Sequence, residues 1–262
     1  MARLAGKVAV ITGGGAGLGR AVATRFVAEG AAVLVADVNE EGGRETVEAI
    51  GDESKAAFRR VDVTDEADCE AAVAEAVGRW GKLDVMAANA GIGGATGRPS
   101  FIGLLDREDW ERVLAVNLTG AFLCAKHAFR AMRRTGGGVI LTTASVAGLQ
   151  GTPALGAYGP SKAGVIQLTK TLALEGARFN IRANALCPVW TQTAMVDEFV
   201  GAGRGDAEQM RARLIADIPL GRLGTPEDVV AAAVYLASDE AAFISGVALP
   251  LDGGHMAGHL PR

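Results

Sequence analysis

A short apolar segment that runs straight into a glycine-rich turn constrains the fold of this chain more than any other feature. Lys7–Thr12 (KVAVIT) has the continuous apolar character of a strand buried on both faces of a parallel sheet. The residues GGGAGLG follow at 13–19, and then an amphipathic segment that ends near Gly30. A strand, a glycine turn and a helix in this order favour dinucleotide binding over a merely flexible loop, because small residues let a pyrophosphate approach the helix N-terminus.

The alternation of apolar strands and helices continues to the end of the chain. Further strands are predicted at Ala32–Asp37, Ala57–Val61, Leu83–Ala88, Val139–Thr143, Ile181–Leu186 and Val247–Leu251. The predicted helices include segments over 65–80, Arg107–Arg134, a helix that opens at Tyr158, and Pro226–Ala237 with Thr225 as its N-cap. This pattern predicts one α/β domain over residues 1–262, a Rossmann-type, doubly wound, seven-stranded parallel sheet with helices on both faces.

Residues 189–225 interrupt this alternation of strands and helices. They mix apolar side chains with glycine and charge and show only weak helical periodicity. An apolar insert after the carboxyl end of a strand is where a substrate lid lies in an open α/β sheet, so we predict a substrate loop here. A small packing subdomain is the alternative interpretation.

Charge and cysteine usage exclude several classes of function. The formal net charge of −4 leaves no basic excess to bind nucleic acid or an anionic membrane. No apolar run is long enough to span a bilayer, and the N-terminal residues lack the features of a signal peptide. Cys69, Cys124 and Cys187 form no CxxC pair, and the three histidines show no metal-binding spacing. The sequence therefore predicts a reduced, cytoplasmic protein without a metal site.

Tyr158 and Lys162 are four residues apart and therefore lie one turn apart on the same face of the predicted helix. A free tyrosine has a pKa of roughly 10, and a neighbouring lysine cation favours the phenolate and lowers that pKa. Ser145, ahead of this helix, can hydrogen-bond an oxygen that the tyrosine protonates or deprotonates. These residues together predict a general acid/base for carbonyl–alcohol chemistry. On spacing alone, a surface tyrosine beside a solvated lysine is the ordinary alternative.

Asp37 closes the second predicted strand. A carboxylate there can accept hydrogen bonds from the ribose hydroxyls of an adenosine and would repel a 2′-phosphate. Neither Ala16 nor the residues 38–40 after the strand offer the cation that a 2′-phosphate needs. We therefore predict NAD rather than NADP, although Asp37 can serve as a helix cap as well.

Several motifs together carry a resemblance that none of them carries alone. They are the run TGxxxGxG at Thr12–Gly19, Asn89-Ala90-Gly91, Asn117, Ser145, Tyr158 with Lys162, Asn184 with Pro188, and Asp252-Gly253-Gly254. Through these motifs, over nearly its whole length, the chain resembles the classical short-chain dehydrogenase/reductase family. The resemblance implies a nicotinamide-dependent oxidoreductase that needs no metal.

The resemblance also implies a role for each motif. Tyr158 transfers the proton of the substrate oxygen, Lys162 lowers the pKa of Tyr158 and binds the nicotinamide ribose, and Ser145 holds the substrate oxygen. Asn117 holds a water that links Lys162 to solvent. The implied cofactor contacts are Gly13, Gly17, Leu18 and Gly19 at the pyrophosphate, Asp37 at the ribose, Asp62 and Val63 at the adenine, Asn89 and Gly91 along the strand ends, and Tyr158, Lys162, Pro188, Thr191 and Thr193 towards the nicotinamide.

The substrate is less well defined by the sequence. Beside Ser145 and Tyr158, the predicted lining of its pocket is mainly apolar: Leu149, Gln150, Leu155, Trp190 and Met195. Such a lining predicts an apolar or cyclic secondary alcohol or its ketone. The family usually has Pro-Gly where this chain has Pro188-Val189, which weakens any substrate inference by analogy.

Three alternatives remain open at this stage. A 3-oxoacyl thioester reductase of this family commonly uses NADPH, which Asp37 disfavours, and a sugar dehydrogenase needs more hydrogen-bonding side chains than the predicted lining offers. A non-catalytic nucleotide-binding scaffold is the alternative from another class, although the catalytic tetrad is intact.

The two long helices, Arg107–Arg134 and Tyr158–Phe179, carry surplus apolar surface. Because related proteins are commonly tetramers, we expect a homotetramer.

Overall fold

Parallel strand pairing organises the part of the chain that this computed structural model describes, residues 2–93, 100–201 and 206–258. The strands are β1 (Val8–Thr12), β2 (Ala32–Asp37), β3 (Ala56–Arg60), β4 (Val85–Ala88), β5 (Gly138–Thr143), β6 (Ile181–Pro188) and β7 (Ala248–Leu251). In the described residues they form one seven-stranded sheet in the order β3-β2-β1-β4-β5-β6-β7, with every neighbouring pair parallel. The carboxyl ends of all the strands therefore lie along one edge.

Helices cover both faces of the sheet. They are α1 (Gly17–Ala28), α2 (Glu40–Ile50), α3 (Glu66–Trp80), α4 (Arg107–Leu114), α5 (Gly120–Thr135), α6 (Tyr158–Gly176), α7 (Ala194–Gly201), α8 (Ala207–Ala216) and α9 (Pro226–Ala237). α3, α5 and α6 bury their apolar sides in one core, whereas α1 and α9 bury theirs in a second core on the opposite face. None of the described helices has the length and apolar character needed to cross a membrane.

The predicted fold class is confirmed, and most element boundaries agree within one or two residues. β6 continues two residues further than predicted, to Pro188, because Cys187 and Pro188 still pair with β7. The predicted N-cap of α9 is confirmed as well. The Thr225 hydroxyl accepts a hydrogen bond from the backbone of Asp228, whose carboxylate accepts one from the backbone of Thr225 in return.

The predicted helix Arg107–Arg134 is wrong as one continuous α-helix. α4 ends at Leu114, a π-helical turn spans Ala115–Thr119, and α5 begins at Gly120. The π turn surrounds Asn117, whose side chain is almost fully buried and bonds to groups outside the helix. Tertiary hydrogen bonding thus overrides the helical register, as is common for such turns near functional sites. Phe122, which the regular pattern placed on the apolar side, is 44% exposed.

The insert at 189–225 contains α7 and α8, and its residues 202–205 lie outside the described residues. Its base is closed by a bridge between Thr191 and Gly224. It has a small apolar core of its own, which also includes Val146 after β5: Val189, Val196, Val200, Leu214, Ile218 and Leu223. The insert is therefore a packed unit attached to the carboxyl edge of the sheet, and its role as a substrate loop stays a prediction.

Candidate active site

The glycine turn after β1 has no room for larger residues. A Cβ on Gly19 would lie 1.9 Å from the carbonyl oxygen of Gly13, and one on Gly13 would lie 2.9 Å from the Cα of Ala90. Gly13 and Gly17 also have φ angles of +67° and +50°, which L side chains rarely adopt. The turn leads into α1, whose N-cap residue Ala16 makes no side-chain cap. The positive end of this helix is thus available to an anion such as a pyrophosphate.

Asp37 lies at the end of β2 beside the glycine turn. Its carboxylate accepts hydrogen bonds from the backbone N–H groups of Gly15 and Asn39, both at 2.8 Å. The guanidinium of Arg20 lies on the other side of the turn, where it donates to the Gly15 carbonyl and pairs with Glu45 at 2.9 Å. The turn therefore presents a fixed negative charge to the adjoining cleft, and the neighbouring cation is already engaged.

A cleft of about 610 Å³ runs along the carboxyl edge of the sheet. Every predicted cofactor residue except Gly19 lines it, from Gly13, Gly17 and Leu18 through Asp37, Asp62, Val63, Asn89 and Gly91 to Tyr158, Lys162, Pro188, Thr191 and Thr193. Gly19 is buried beneath the turn, where its small size matters for packing. Sequence reasoning did not single out several other lining residues, among them Val61, Ile92, Arg112, Val116 and Ala194.

The Asn89 side chain ties three strand ends together. Its amide nitrogen donates to the Thr12 carbonyl at 3.1 Å, and its amide oxygen accepts from the Thr143 hydroxyl at 3.0 Å. The Thr143 carbonyl in turn accepts a hydrogen bond from Nζ of Lys162 at 2.7 Å. Thr12 and Thr143 were not predicted as site residues. Threonines at strand ends look like ordinary β residues in a sequence, and only the fold gives them these partners.

The predicted catalytic residues come together where β5 and β6 end. Tyr158 opens α6, and Nζ of Lys162 lies 5.5 Å from the centre of the tyrosine ring. Ser145 follows β5, is only 8% exposed and lies beside the Tyr158 phenol, while its hydroxyl donates to the Pro188 carbonyl at 3.4 Å. The backbone N–H of Ala147 donates to the Ser145 hydroxyl at 3.2 Å and so restricts its position.

Burial dominates the proton affinities in this cluster. It raises the pKa of Tyr158 above its ordinary value, and the neighbouring Ser145 hydroxyl opposes that rise. Burial also lowers the pKa of Lys162 to about 8. The sequence argument expected Lys162 to lower the pKa of Tyr158, but in this structure desolvation outweighs any such effect. Below Lys162, burial raises the pKa of the Cys187 thiol to about 11, so this cysteine stays a neutral core residue near pH 7.

Asn117 reaches the cluster through Ser161, a residue that the sequence analysis missed. The Asn117 amide oxygen accepts from the backbone N–H of Ile92 at 2.8 Å, and its nitrogen donates to the Ile92 carbonyl at 3.0 Å. The same nitrogen donates to the hydroxyl of Ser161 at 3.1 Å, and that hydroxyl donates to the Tyr158 carbonyl at 2.7 Å. Ser161 is fully buried. Its position between Tyr158 and Lys162 was the one available signal.

The predicted substrate residues occupy different places. Met195 and Tyr158 line the cleft, whereas Ser145, which is only 8% exposed, is not part of its lining. Trp190 stacks on Phe199 of the insert, with ring centres 5.0 Å apart. Leu149 packs against the core, Leu155 pairs with Ser100, and the Gln150 side chain hydrogen-bonds His255. Among the described residues, Leu149, Gln150, Leu155 and Trp190 are not part of the cleft lining.

Comparison with known proteins points to one family of enzymes. The sequence model of the family described as enoyl-(acyl carrier protein) reductase matches residues 13–256. Secoisolariciresinol dehydrogenase from Forsythia intermedia is 44% identical over 96% of this chain and 90% of its own length. Cis-4-hydroxycyclohexanecarboxylate dehydrogenase from Sinomonas cyclohexanicum is 39% identical over 96% of this chain and 97% of its own length.

Solved structures agree with these sequence relatives. Levodione reductase superimposes with a TM-score of 0.93 at 33% identity, over 97% of this chain and 99% of its own. A 3-ketoacyl-(acyl-carrier-protein) reductase from Brucella melitensis, complexed with NADH, superimposes with a TM-score of 0.88 at 37% identity, over 96% of this chain and 99% of its own. The likeness thus extends over the whole sheet and the cleft at its edge.

The close packing at Gly19 makes a testable prediction. Gly19→Ala should lower the free energy of unfolding by about 1–3 kcal/mol, because the new methyl group meets backbone atoms that cannot move aside cheaply. Gly78→Ala is the matched control. Gly78 lies exposed in α3 with open space around its Cα, so the change should raise that free energy by roughly 0.5–1 kcal/mol. Urea denaturation measures both, and a Gly19→Ala protein as stable as wild type would contradict the packing argument.

Proposed function

This chain belongs to the classical short-chain dehydrogenase/reductase family, and we propose that it is an NAD(H)-dependent oxidoreductase that interconverts a secondary alcohol and its ketone. One observation carries the proposal. A single cleft contains the glycine turn and Asp37 at one end, and Tyr158 with Lys162 at the other. A cofactor that extends along the cleft would bring its reactive ring to the phenol that handles the substrate proton.

The cleft residues fit a nicotinamide dinucleotide. The uncapped N-terminus of α1 would hold the pyrophosphate, Asp37 the adenosine ribose, and Asp62 with Val63 the adenine. Lys162 would hold the second ribose, and Thr191 and Thr193 the carboxamide. The bound cofactor supplies the hydride acceptor for alcohol oxidation and, when reduced, the hydride donor for ketone reduction.

Tyr158 would act as the general acid and base. For reduction its phenol donates a proton to the ketone oxygen, and for oxidation its phenolate takes the proton of the alcohol. The Ser145 hydroxyl, which lies beside the phenol, would hold the substrate oxygen in place for this transfer. Protonated Lys162 favours the phenolate, and the buried amide of Asn117 would position the water that connects Lys162 to solvent.

The cofactor preference is proposed from the charge at the end of β2. The two backbone hydrogen bonds hold the Asp37 carboxylate at the cleft, where ribose hydroxyls can donate to it. A 2′-phosphate would meet this negative charge without a free cation from Arg20, which is engaged by Gly15 and Glu45. NAD is therefore the proposed cofactor.

The substrate is proposed to be apolar or cyclic. The cleft lining around Tyr158 includes the apolar side chains of Ile92, Val116, Met195 and Val196. The name of one close relative contains a hydroxylated cyclohexane ring, which supports a cyclic substrate. A 3-oxoacyl thioester is the second candidate, favoured by the likeness to a 3-ketoacyl-carrier-protein reductase. The apolar lining of the cleft gives less support to a sugar dehydrogenase. The intact catalytic cluster gives less support to a non-catalytic scaffold.

Self-association is proposed from the surfaces of the two long helices. Phe122 of α5 is 44% exposed and Leu174 of α6 is 81% exposed. Large apolar side chains exposed on helices of this kind are suited to contact with a second copy of the chain. A homotetramer and a cytoplasmic location stay predictions.

The acid/base assignment is tested by Tyr158→Phe. This change removes the proton-transfer group, so turnover should fall by about 10²–10⁴-fold while NADH still binds. The assay is nicotinamide absorbance across cyclic, steroid-like, sugar and 3-oxoacyl alcohols and ketones, with NADH binding followed by fluorescence. Tyr235→Phe on α9 is the matched control and should leave turnover unchanged.

The direction of the reaction should determine the pH dependence, since oxidation needs the phenolate and reduction the phenol. In the wild type, kcat/KM should rise with pH for the alcohol and fall with pH for the ketone. Surviving turnover in Tyr158→Phe would refute the assignment. If the wild type bound NADH but turned over none of the alcohols and ketones in the panel, a non-catalytic scaffold would be favoured.

Cofactor preference is tested by Asp37→Ala. Loss of the carboxylate should lower kcat/KM with NAD about tenfold, the effect of roughly 1.4 kcal/mol. It should raise kcat/KM with NADP relative to NAD by at least the same factor. Glu53→Ala removes one exposed negative charge from the turn before β3, at the opposite edge of the sheet, and controls for net charge. An unchanged NADP-to-NAD ratio in Asp37→Ala would leave Asp37 with a structural role only.

Ser161 is expected to be a positioning residue for the catalytic cluster. Ser161→Ala removes the partner of both the Asn117 amide and the Tyr158 carbonyl, so kcat should fall about tenfold, the effect of roughly 1–2 kcal/mol for a lost buried hydrogen bond. KM for NADH should change little, and the pH profile of kcat should shift. Ser161→Cys, of similar size but a weaker hydrogen-bonding group, should be intermediate, whereas Ser54→Ala at an exposed turn should have no effect. A lower unfolding midpoint with unchanged kcat would show that Ser161 only supports the fold.

A further inference from the structure

A rigid turn follows β7 and is attached to the insert. We call residues Asp252–Met256 the tail turn. The Asp252 carboxylate accepts hydrogen bonds from the backbone N–H groups of Gly254 and Met256, at 3.0 and 2.9 Å. The backbone N–H of His255 donates to the Asp252 carbonyl at 3.1 Å. These local bonds fix the direction in which the His255 side chain leaves the backbone.

The tail turn packs closely on the end of the insert. The backbone N–H of Leu220 donates to the Gly253 carbonyl at 3.1 Å. Gly253 has a φ of +58°, and a Cβ on it would lie 2.7 Å from Cγ2 of Ile218, so no side chain fits there. Gly254 lies against the ring of Pro219, where an added Cβ would come to 3.4 Å, an ordinary van der Waals contact. The insert is thus held between the sheet and the tail turn.

The His255 imidazole joins this end of the insert to the segment that follows β5 and holds Ser145, residues 144–151, which we call the catalytic loop. Its Nδ1 lies 2.8 Å from the carbonyl oxygen of Asp217, which directly follows α8. Its Nε2 lies 2.8 Å from the amide nitrogen of Gln150. A carbonyl oxygen only accepts and an amide nitrogen only donates, so Nδ1 carries the proton and Nε2 accepts. Both ring nitrogens are therefore used in one bridge.

The bridge connects the catalytic loop to the insert, which we call the two walls, although Gln150 and His255 do not themselves line the cleft. Gln150 is five residues beyond Ser145, whose hydroxyl contacts the catalytic phenol. Asp217 belongs to the insert, which contributes Thr191, Thr193 and Met195 to the cleft. Besides the small core that Val146 shares with the insert, this is a polar, directional link between the two walls.

We propose that His255 is a positioning and specificity-determining residue, which through Gln150 fixes the distance between the catalytic loop and the insert and so selects a compact alcohol or ketone. By fixing this distance, the bridge would limit the size of the substrate that the cleft admits. The inference rests on the proposed function and narrows its substrate class to small cyclic or apolar molecules. It disfavours acyl thioesters.

The two halves of the bridge can be removed separately. In His255→Asn the amide N–H replaces Nδ1 and keeps the bond to Asp217, but nothing reaches Gln150. In His255→Gln the longer side chain places its amide oxygen near the position of Nε2 and keeps an acceptor for Gln150, but the bond to Asp217 is lost. Gln150→Ala removes the other partner, and Gln209→Ala, exposed on α8, is its matched control.

The kinetic experiment compares a cyclic ketone that the wild type reduces with an N-acetylcysteamine 3-oxoacyl thioester. His255→Asn and Gln150→Ala should each raise KM for the ketone about fivefold, as expected for one partly exposed hydrogen bond, with KM for NADH unchanged. Relative kcat/KM for the thioester should rise. The double variant should be no worse than either single variant, because both remove the same contact. Additive effects, or an unchanged KM for the ketone, would overturn the proposal.

A second measurement does not depend on turnover. His255→Ala should speed amide hydrogen exchange in both walls, at residues 146–151 and 217–221, while β1 and α1 keep their protection. Unchanged exchange at 146–151 would overturn the bridge whatever the substrate is. If exchange changes as expected but the wild type reduces nothing in the panel, the proposed function fails and the bridge stands.

Discussion

Because every strand of this sheet runs in the same direction, the residues that follow the strands meet along a single edge. The glycine turn, Asp37, Asn89 and Ser145 are far apart in the chain, and each lies at the end of a strand or just after one. Parallel pairing alone would leave these loops side by side but unlinked. The Asn89 amide supplies the link, since it binds the end of β1 and, through Thr143, the end of β5 and Lys162. The relative positions of the cleft residues are therefore fixed by the carboxyl edge of the sheet and by the hydrogen bonds of Asn89.

The chemistry of the cleft depends on burying a cation beside a phenol. Lys162 is almost fully buried, and its hydrogen-bond partner is the neutral carbonyl of Thr143. Desolvation lowers the pKa of Lys162 to about 8, while it raises the pKa of Tyr158. A pair of groups held in these states is costly for the fold, as is common where a site is built for proton transfer.

Sequence patterns predicted those features of the structure that depend on residues close together in the chain. The apolar strands, the glycine turn and the placement of Tyr158 and Lys162 one turn apart could be predicted, because each depends on neighbouring residues. The sequence missed what depends on partners far along the chain. Asn117 breaks the expected helix because its amide bonds Ile92 and Ser161, and Trp190 faces Phe199 within the insert. Likewise, the pKa of Tyr158 follows burial, which spacing between two residues does not reveal.

The π turn at Ala115–Thr119 has a geometric consequence for the whole helical layer. An extra residue in one turn rotates everything after it by roughly 100° relative to what came before, given 3.6 residues per turn. The residues of α5 are therefore out of phase with those of α4. Arg112 of α4 and Val116 of the π turn line the cleft, whereas Ala125 and Met132 of α5 lie in the core. This helical segment thus contributes residues to both the cleft and the core. In a regular helix, the two sets of residues would have had to lie on the same face.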